Sequence, residues 1–369
     1  MIKILFVIHD LSMGGAEKVL VNLVNNMDKS KFDITVMAIF GGGINERFLS
    51  KDIRLLRCHS KMIPGNSKIM KLWTPQRLYS YYIREHYDII VSYLEGPSAR
   101  IVSGCTDLDT KLVTWIHGEQ HTARRASASF RNYNEALKCY QRFDRTICVS
   151  DCVRRDFTNI YQLKNPVDVL FNTNETNQII EKSKEMITEV KFYDNEIKLV
   201  GVGKVIPLKG FDRLARIHKR LRNEGFPVHT YILGVGKQQE TIEKYLKENH
   251  VENSFTFLGY QVNPYKYVAR CDLFVCTSLY EGFSTAATEA LIVGTPVCTV
   301  EVSGMKEMLG ENEYGIITKN DEEELYKAIK ELINNPDLLK HYAEQAKKRG
   351  KDFGTQQTVN AVEEMLLNL

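Results

Sequence analysis

The sequence predicts an α/β protein built from two doubly wound, Rossmann-like units, and three observations lead there. Short β-branched runs alternate with longer amphipathic stretches from the first residue, the rhythm of parallel strands covered by helices. These runs fall into two sets, separated by a polar, charge-rich stretch at 174–195 that contains no strong strand. The chain has 369 residues, enough for two cores at ~100–200 residues per domain and awkward for one.

Residues 3–8 read as the first strand. The turn 9–15 leads into a helix from about Ala16, whose Val19, Leu20, Leu23, Val24 and Met27 recur at helical spacing. Residues 32–40, 87–93, 111–116, 145–149 and 167–171 are further strands, each short and nearly continuous in apolar character, as strands buried on both faces are. That set ends near Asn172. The second set comprises 197–202, 229–233, 254–258, 272–276, 296–300 and 315–318, with helices between them. Residues 321–334, 336–350 and 355–369 carry helical patterns, and the last, after the break at Phe353-Gly354, is free to fold back across the junction. The expected domains are therefore 1–190 together with 355–369, and 191–354.

Composition narrows the class. Hydrophobic residues at 43%, charged residues at 26%, 23 Gly and 9 Pro exclude collagen-like, mucin-like and disordered chains. A net charge of +3 is too weak to call for nucleic acid or a wholesale membrane partner, so any electrostatic partner is met locally. The apolar opening 1–8 is far shorter than the ~20 residues of a membrane span and lacks a small-residue cleavage site, so neither export nor a helical anchor is expected. Eight Cys, at 58, 105, 139, 148, 152, 271, 276 and 298, include no CxxC pair, and several sit in apolar strand-like runs. They read as buried thiols of a cytoplasmic protein rather than as disulfides or metal ligands.

Three segments carry chemistry. The turn Ser12-Met13-Gly14-Gly15-Ala16-Glu17 joins strand to helix, so its glycines permit close backbone approach and its amides lie at a positive helix terminus able to hold phosphate. It lacks the G-x-G-x-x-G spacing of a dinucleotide site, and a plain tight turn is the alternative. In the second unit Gly201-Val202-Gly203-Lys204 is followed by Lys209-Gly210-Phe211, placing two ammonium groups on one strand-to-helix loop. Solvated lysines are unremarkable there, but at the carboxyl end of a parallel strand the pair suits a diphosphate. The third segment, Glu281-Gly282-Phe283-Ser284-Thr285-Ala286-Ala287-Thr288-Glu289, follows the strand 272–276. With a helix starting near Ser284 or Thr285, Glu281 lies in the loop before it and Glu289 one turn in. The two carboxylates can then meet different parts of one ligand, with the helix-start amides on phosphate.

Together G-G-A-E-K, V-G-K-x4-K-G-F and E-G-F-S-T-A-A-T-E-A-L resemble the family 4 retaining glycosyltransferases of the GT-B fold, over nearly the whole chain and most of all the bacterial enzymes that build capsule, O-antigen or similar surface polysaccharides. The resemblance implies two Rossmann-like domains facing a cleft. It implies that Lys204 and Lys209 bind the donor diphosphate, that Glu289 holds the ribose, and that Glu281 with the amides of Gly282, Phe283 and Ser284 contacts the donor sugar, with Thr285 at the same helix start. Gly14 and Gly15 approach the phosphates from the other domain. The family usually has Arg where this chain has Lys204, which keeps the charge and loses the planar two-pronged grip. His117 ends the strand 111–116. A lone histidine is more often structural, but this placement and the family's comparable histidine point to a donor-sugar hydroxyl, with Glu119 and His121 as secondary candidates.

Asp107-Leu108-Asp109 matches the triplet that holds a divalent metal in other glycosyltransferases, but it lies in a surface loop ahead of a strand. The resembled fold neutralises the diphosphate with lysines, so no metal and no other cofactor is expected. The implied mechanism is front-face displacement, in which the leaving diphosphate helps take the acceptor proton. Lys61, Lys68, Lys71, Arg77 and Arg84, interleaved with Trp73, Tyr79, Tyr81 and Tyr82, and then Arg124, Arg125, Arg131, Lys138, Arg142 and Arg145, make the first unit locally basic and aromatic. They are solvated faces, or they dock on anionic lipid at the inner face of the membrane or grip a lipid-linked acceptor. The expected activity is transfer of a hexose or N-acetylhexosamine from a UDP-sugar to a lipid-linked oligosaccharide or similar glycan. A nucleotide-sugar epimerase of the same fold, and a catalytically silent partner subunit, are the alternatives.

Overall fold

The computed structural model describes residues 1–12, 14–60, 65–190, 192–193 and 195–369, so Met13 of the glycine turn and Lys61 of the basic stretch lie outside the described residues. The chain divides into two compact units, Met1–Asn174 with Thr355–Leu369, and Glu175–Gly354. The division falls at the start of the polar stretch, not at 190, because 176–183 form a helix that packs on helices of the second unit. Charge-rich composition signalled a linker there, whereas buried Ile179 ties the segment down.

The first unit is a sheet of seven parallel strands: β1 (Ile2–Ile8), β2 (Phe32–Phe40), β3 (Arg54–His59), β4 (Ile89–Ser92), β5 (Lys111–Ile116), β6 (Arg145–Cys148) and β7 (Val167–Val169). Their order is β3-β2-β1-β4-β5-β6-β7, so the winding reverses between β1 and β4. Ile4, Leu5, Phe6, Val7 and Ile8 are fully buried, as a central strand covered on both faces requires. β3 does not stand out in the sequence: Arg54 and Arg57 interrupt its apolar character, and both reach out from this edge strand to carboxylates, Arg54 to Glu85 and Arg57 to Glu46.

The second unit has six parallel strands, β8 (Ile197–Val202), β9 (Val228–Leu233), β10 (Phe255–Gly259), β11 (Leu273–Cys276), β12 (Val297–Val300) and β13 (Ile316–Thr318). Their order is β10-β9-β8-β11-β12-β13, with the reversal between β8 and β11. Ligands of open α/β sheets bind outside the carboxyl ends of strands at such a reversal. The loops that leave β8 and β11 are the two that carry the lysines and the glutamates.

The last helix, Thr355–Leu367, belongs to the first unit, as its sequence allows. Val359, Val362 and Leu366 are buried, and the Thr355 hydroxyl donates to the Asn174 carbonyl at 2.7 Å. Glu363 is buried as well, and accepts the Asp28 backbone N–H at 2.6 Å and the Lys31 ammonium at 3.3 Å. Removing a buried acceptor strands its donor, so Glu363→Ala is expected to cost ~1–3 kcal/mol, seen as a lower urea midpoint for the first unit. An unchanged midpoint contradicts this anchoring. Among the described residues no helix is long and apolar enough to cross a membrane.

Candidate active site

In the second unit the chain leaves β8 through Gly203 and Lys204, makes a tight turn at Pro207–Lys209, and enters the helix Phe211–Asn223 through Gly210. Gly210 is left-handed, at φ +66°, and a Cβ there would strike the Thr277 carbonyl oxygen. The loop is laced to the one after β11: the Thr277 hydroxyl donates to the Lys209 carbonyl at 2.8 Å, and the Leu279 N–H to the Leu208 carbonyl at 2.8 Å. Gly234, at φ +147°, lies beside the same loop, where a Cβ would strike the Gly203 carbonyl oxygen.

This lacing brings the Lys209 ammonium onto Glu281, 72 residues away in sequence, in a close ion pair. The same carboxylate oxygen accepts the Ser278 hydroxyl at 2.6 Å. Both partners are largely sheltered from water, which strengthens the pair and makes its rupture without a substitute partner costly. Lys204, five residues earlier, is exposed and makes no ion pair among the described residues. The two lysines thus differ, one held by a carboxylate and one free to meet an anion.

The helix Thr285–Val293 begins where the sequence places it, capped by Ser284, whose hydroxyl accepts the Ala287 N–H at 3.4 Å. Phe283 is buried, its ring 6.3 Å edge-on from that of Phe353, which fixes the Gly282-Phe283-Ser284 turn ahead of the helix. Glu289 is buried on the inner side of the helix, and the Tyr265 hydroxyl lies 3.4 Å from its Oε1. Lys209, Glu281, Ser284 and Thr285 therefore share two interlocked loops, with Glu289 about one turn along the helix. Sequence reasoning missed Thr277, Ser278, Gly234 and Tyr265. A hydroxyl after a strand or a tyrosine 24 residues from its partner leaves no spacing signal, since only the folded chain joins them.

In the first unit the glycine turn opens the helix Gly15–Asn26, and a carboxylate of the chain itself lies at this helix start. The Glu17 carboxylate folds back over Gly14 and lies where a Gly14 Cβ would be. A carboxylate at a helix N-terminus is favoured by the same dipole that would favour phosphate. Asp10, just before the turn, accepts the Ser12 N–H at 2.8 Å and bonds His9 at 2.7 Å, and these bonds hold its carboxyl down at about 2.

His117 stands at the end of β5 with its ring 5.1 Å from that of Tyr93. Its ring bonds the Tyr93 backbone, its Nε2 is enclosed without a partner, and burial lowers its pKa to about 4. The imidazole is neutral at pH 7, so it suits a hydroxyl and not a phosphate. Asp107 bonds His86 at 2.5 Å and the Asp109 N–H at 3.1 Å. Among the described residues no group of three or more His, Cys, Asp and Glu could hold a metal ion.

Of the basic residues in the second stretch, Arg131 donates to the Lys71 and Leu72 carbonyls and Arg142 to those of Ser103 and Cys105, while Arg145 pairs with Asp168. These three hold loops and strands together. Lys68, Arg77, Arg84, Arg124, Arg125 and Lys138 are exposed, beside exposed Ile69, Leu72, Trp73 and Tyr81. The six buried Cys and the two partly exposed ones, Cys58 and Cys152, are all free thiols.

Known proteins resemble this chain along its length. The family model described as Glycosyltransferase Family 4 matches residues 13–177, and that of the glycosyl transferases group 1 matches 182–349. The N-acetylgalactosamine-N,N'-diacetylbacillosaminyl-diphospho-undecaprenol 4-alpha-N-acetylgalactosaminyltransferase of Campylobacter jejuni is 31% identical over 189 residues, 50% of this chain and 49% of that protein, so the match spans about half of it. The amylovoran biosynthesis glycosyltransferase AmsD of Erwinia amylovora is 22% identical over 96% of each chain. The crystal structure of Anabaena HepE in complex with UDP and glucose superimposes with a TM-score of 0.78 at 19% identity, covering 100% of both chains. The fold is GT-B. Both models are of glycosyltransferases and between them they match most of the chain, which is a glycosyltransferase.

Two outcomes follow from this geometry. Gly234→Ala must displace the Gly203 backbone, and a strained positive φ adds ~1–3 kcal/mol; the variant is expected to melt lower and to bind nucleotide at least tenfold more weakly by calorimetry, whereas native-like binding contradicts the packing. Burial also lowers the pKa of His218, to about 3. With folded values below the unfolded value of 6.5, the unfolded chain takes up more protons as pH falls, so stability drops from about pH 6.5 towards pH 4. His117→Gln is expected to flatten that decline in unfolding free energy, followed by urea titration, by up to ~3 kcal/mol, and an unaltered slope contradicts the enclosed neutral imidazole.

Proposed function

We propose that the chain is a metal-independent retaining glycosyltransferase that moves a hexose or N-acetylhexosamine from a UDP-sugar to a glycan acceptor in surface polysaccharide synthesis. The observation that carries this reading is the meeting of Lys209 with Glu281 outside the carboxyl ends of β8 and β11, beside a capped helix that bears Glu289. The UDP and glucose in the HepE structure support the choice of UDP, and the diphospho-undecaprenol in the Campylobacter enzyme's name supports a lipid-linked acceptor.

In this reading Lys204 and Lys209 take the diphosphate, with Lys209 exchanging part of its contact with Glu281 for phosphate oxygens. Glu281 and the Gly282, Phe283 and Ser284 amides then hold the sugar, the Thr285 amide supports the phosphate, and Glu289 accepts the ribose hydroxyls. For the first unit the reading assigns phosphate to Gly14 and Gly15 and a sugar hydroxyl to the neutral His117. The acceptor oxygen bonds to the anomeric carbon as the bond from that carbon to the diphosphate breaks, and the acceptor proton passes to the departing phosphate oxygen. Charge on the diphosphate is met by the lysines, so no metal is called for and no protein carboxylate becomes a nucleophile. The exposed cations and apolar side chains of 65–84, with Arg124, Arg125 and Lys138, support peripheral contact with an anionic cytoplasmic membrane face, where a lipid-linked acceptor is reached.

A thermal-shift panel tests the donor assignment, since a ligand that binds only the folded state raises its melting temperature. UDP without added metal is expected to stabilise the chain, and Glu289→Ala to lose most of that shift. No shift with any nucleotide, or a shift only with divalent metal, contradicts the proposal.

A further inference from the structure

Glu289, on the helix Thr285–Val293, and Tyr265, whose hydroxyl lies 3.4 Å from Glu289 Oε1, are each buried but not sealed, with 7% of their surface exposed. Tyr265 opens the short helix Tyr265–Val268, which follows β10 in the second unit. The polar side chains around it on that turn reach the segment 182–189, at and beyond the end of the helix Thr176–Ser183. The Asn263 amide donates to the Lys182 carbonyl and to the Glu185 carboxylate, both at 2.9 Å. Lys266 pairs with Glu189 at 2.9 Å, and Arg270 donates to the Ser183 carbonyl at 3.0 Å. The Thr295 hydroxyl, just past the helix that bears Glu289, donates to the Val268 carbonyl at 2.9 Å. The turn is thus pinned both to the segment 182–189 and to the chain beyond the Glu289 helix, which fixes the tyrosine relative to the glutamate. A stretch whose composition reads as a linker braces this turn.

The terminal torsion of a glutamate is soft and roughly two-fold, so burial alone does not set the plane of its carboxylate. A hydroxyl donating to one oxygen does. A carboxylate that receives two vicinal hydroxyls has to present its oxygens in one orientation, and an orientation fixed in advance spares the ordering cost at binding. The same hydroxyl also offsets part of the cost of burying the charge, which is all that a purely structural tyrosine would do.

We infer that Tyr265 is a positioning residue of the proposed donor site: its hydroxyl sets the carboxylate plane of Glu289 for the two ribose hydroxyls of the nucleotide, and the segment 182–189 holds the tyrosine in place. This rests on the reading of Glu289 as the ribose contact. Tyr265 touches no reacting atom and acts through the glutamate.

Calorimetry of the full chain with UDP and with 2′,3′-dideoxy-UDP, which lacks both ribose hydroxyls, separates this role from packing. The native chain is expected to bind UDP at least about tenfold more tightly than the dideoxy form, since hydrogen bonds to a charged group are at stake. Tyr265→Phe keeps the ring and removes only the hydroxyl. It is expected to cut that ratio about threefold, with dideoxy-UDP bound within about twofold of its native affinity. Glu289→Ala is expected to abolish the preference, and the double variant to bind UDP no more weakly than Glu289→Ala alone, because the two residues act as one unit. A ratio unchanged in Tyr265→Phe, an equal loss for both nucleotides, or an additive further loss in the double variant overturns the assignment and leaves the donor site standing. A native chain that binds UDP and dideoxy-UDP alike overturns the ribose reading of Glu289, one that binds no UDP overturns the donor site itself, and this assignment falls with either.

Discussion

The ion pair between Lys209 and Glu281 is the contact on which the candidate site depends. It joins the loops after β8 and β11 across the point where the strand order reverses, beside the Thr277 hydroxyl and the Leu279 N–H, which bond the Lys209 and Leu208 carbonyls of the facing loop. A cation and an anion brought together in a sheltered place stabilise each other while the site is empty. In the proposed function an arriving diphosphate gives the same ammonium a second anion to meet, and Lys204, left in solvent, supplies the other charge.

The two units repeat one plan with different contents. Each places a turn at the start of a helix beside the reversal of its sheet, after β1 in the first and after β11 in the second. In the second unit Ser284 caps the helix through its hydroxyl. In the first unit Gly14 offers no side chain and the carboxylate of Glu17 fills the gap. The same electrostatic preference thus draws a protein anion to one helix start and leaves the other beside lysine and glutamate.

Much of this was legible in the sequence. Buried parallel strands are short and largely apolar, and of the thirteen strands among the described residues all but β3 stand out in the sequence in this way. The start of the helix at Thr285 was readable from Ser284 because a hydroxyl before an apolar helical run is a capping signal. The edge strand β3 was not, since its arginines belong to an exposed rim and break the apolar pattern. Nor could the sequence divide the cations of 124–145: Arg131 and Arg142 serve main-chain carbonyls, which have no signature in residue identity. Glu17 was read as part of a phosphate-binding turn, although its own carboxylate covers that turn. Nor does residue identity signal that Glu95 accepts the His117 backbone N–H at 3.0 Å and the Gln120 side-chain amide at 3.2 Å, since only the fold makes these segments neighbours.

The most direct test of the central claim is a crystal structure of the full chain soaked with UDP. The account predicts the diphosphate between Lys204 and Lys209, with the Lys209 ammonium within hydrogen-bond distance of a phosphate oxygen and Glu289 on the ribose. UDP bound elsewhere, or Lys209 still turned wholly to Glu281 with nucleotide present, contradicts it.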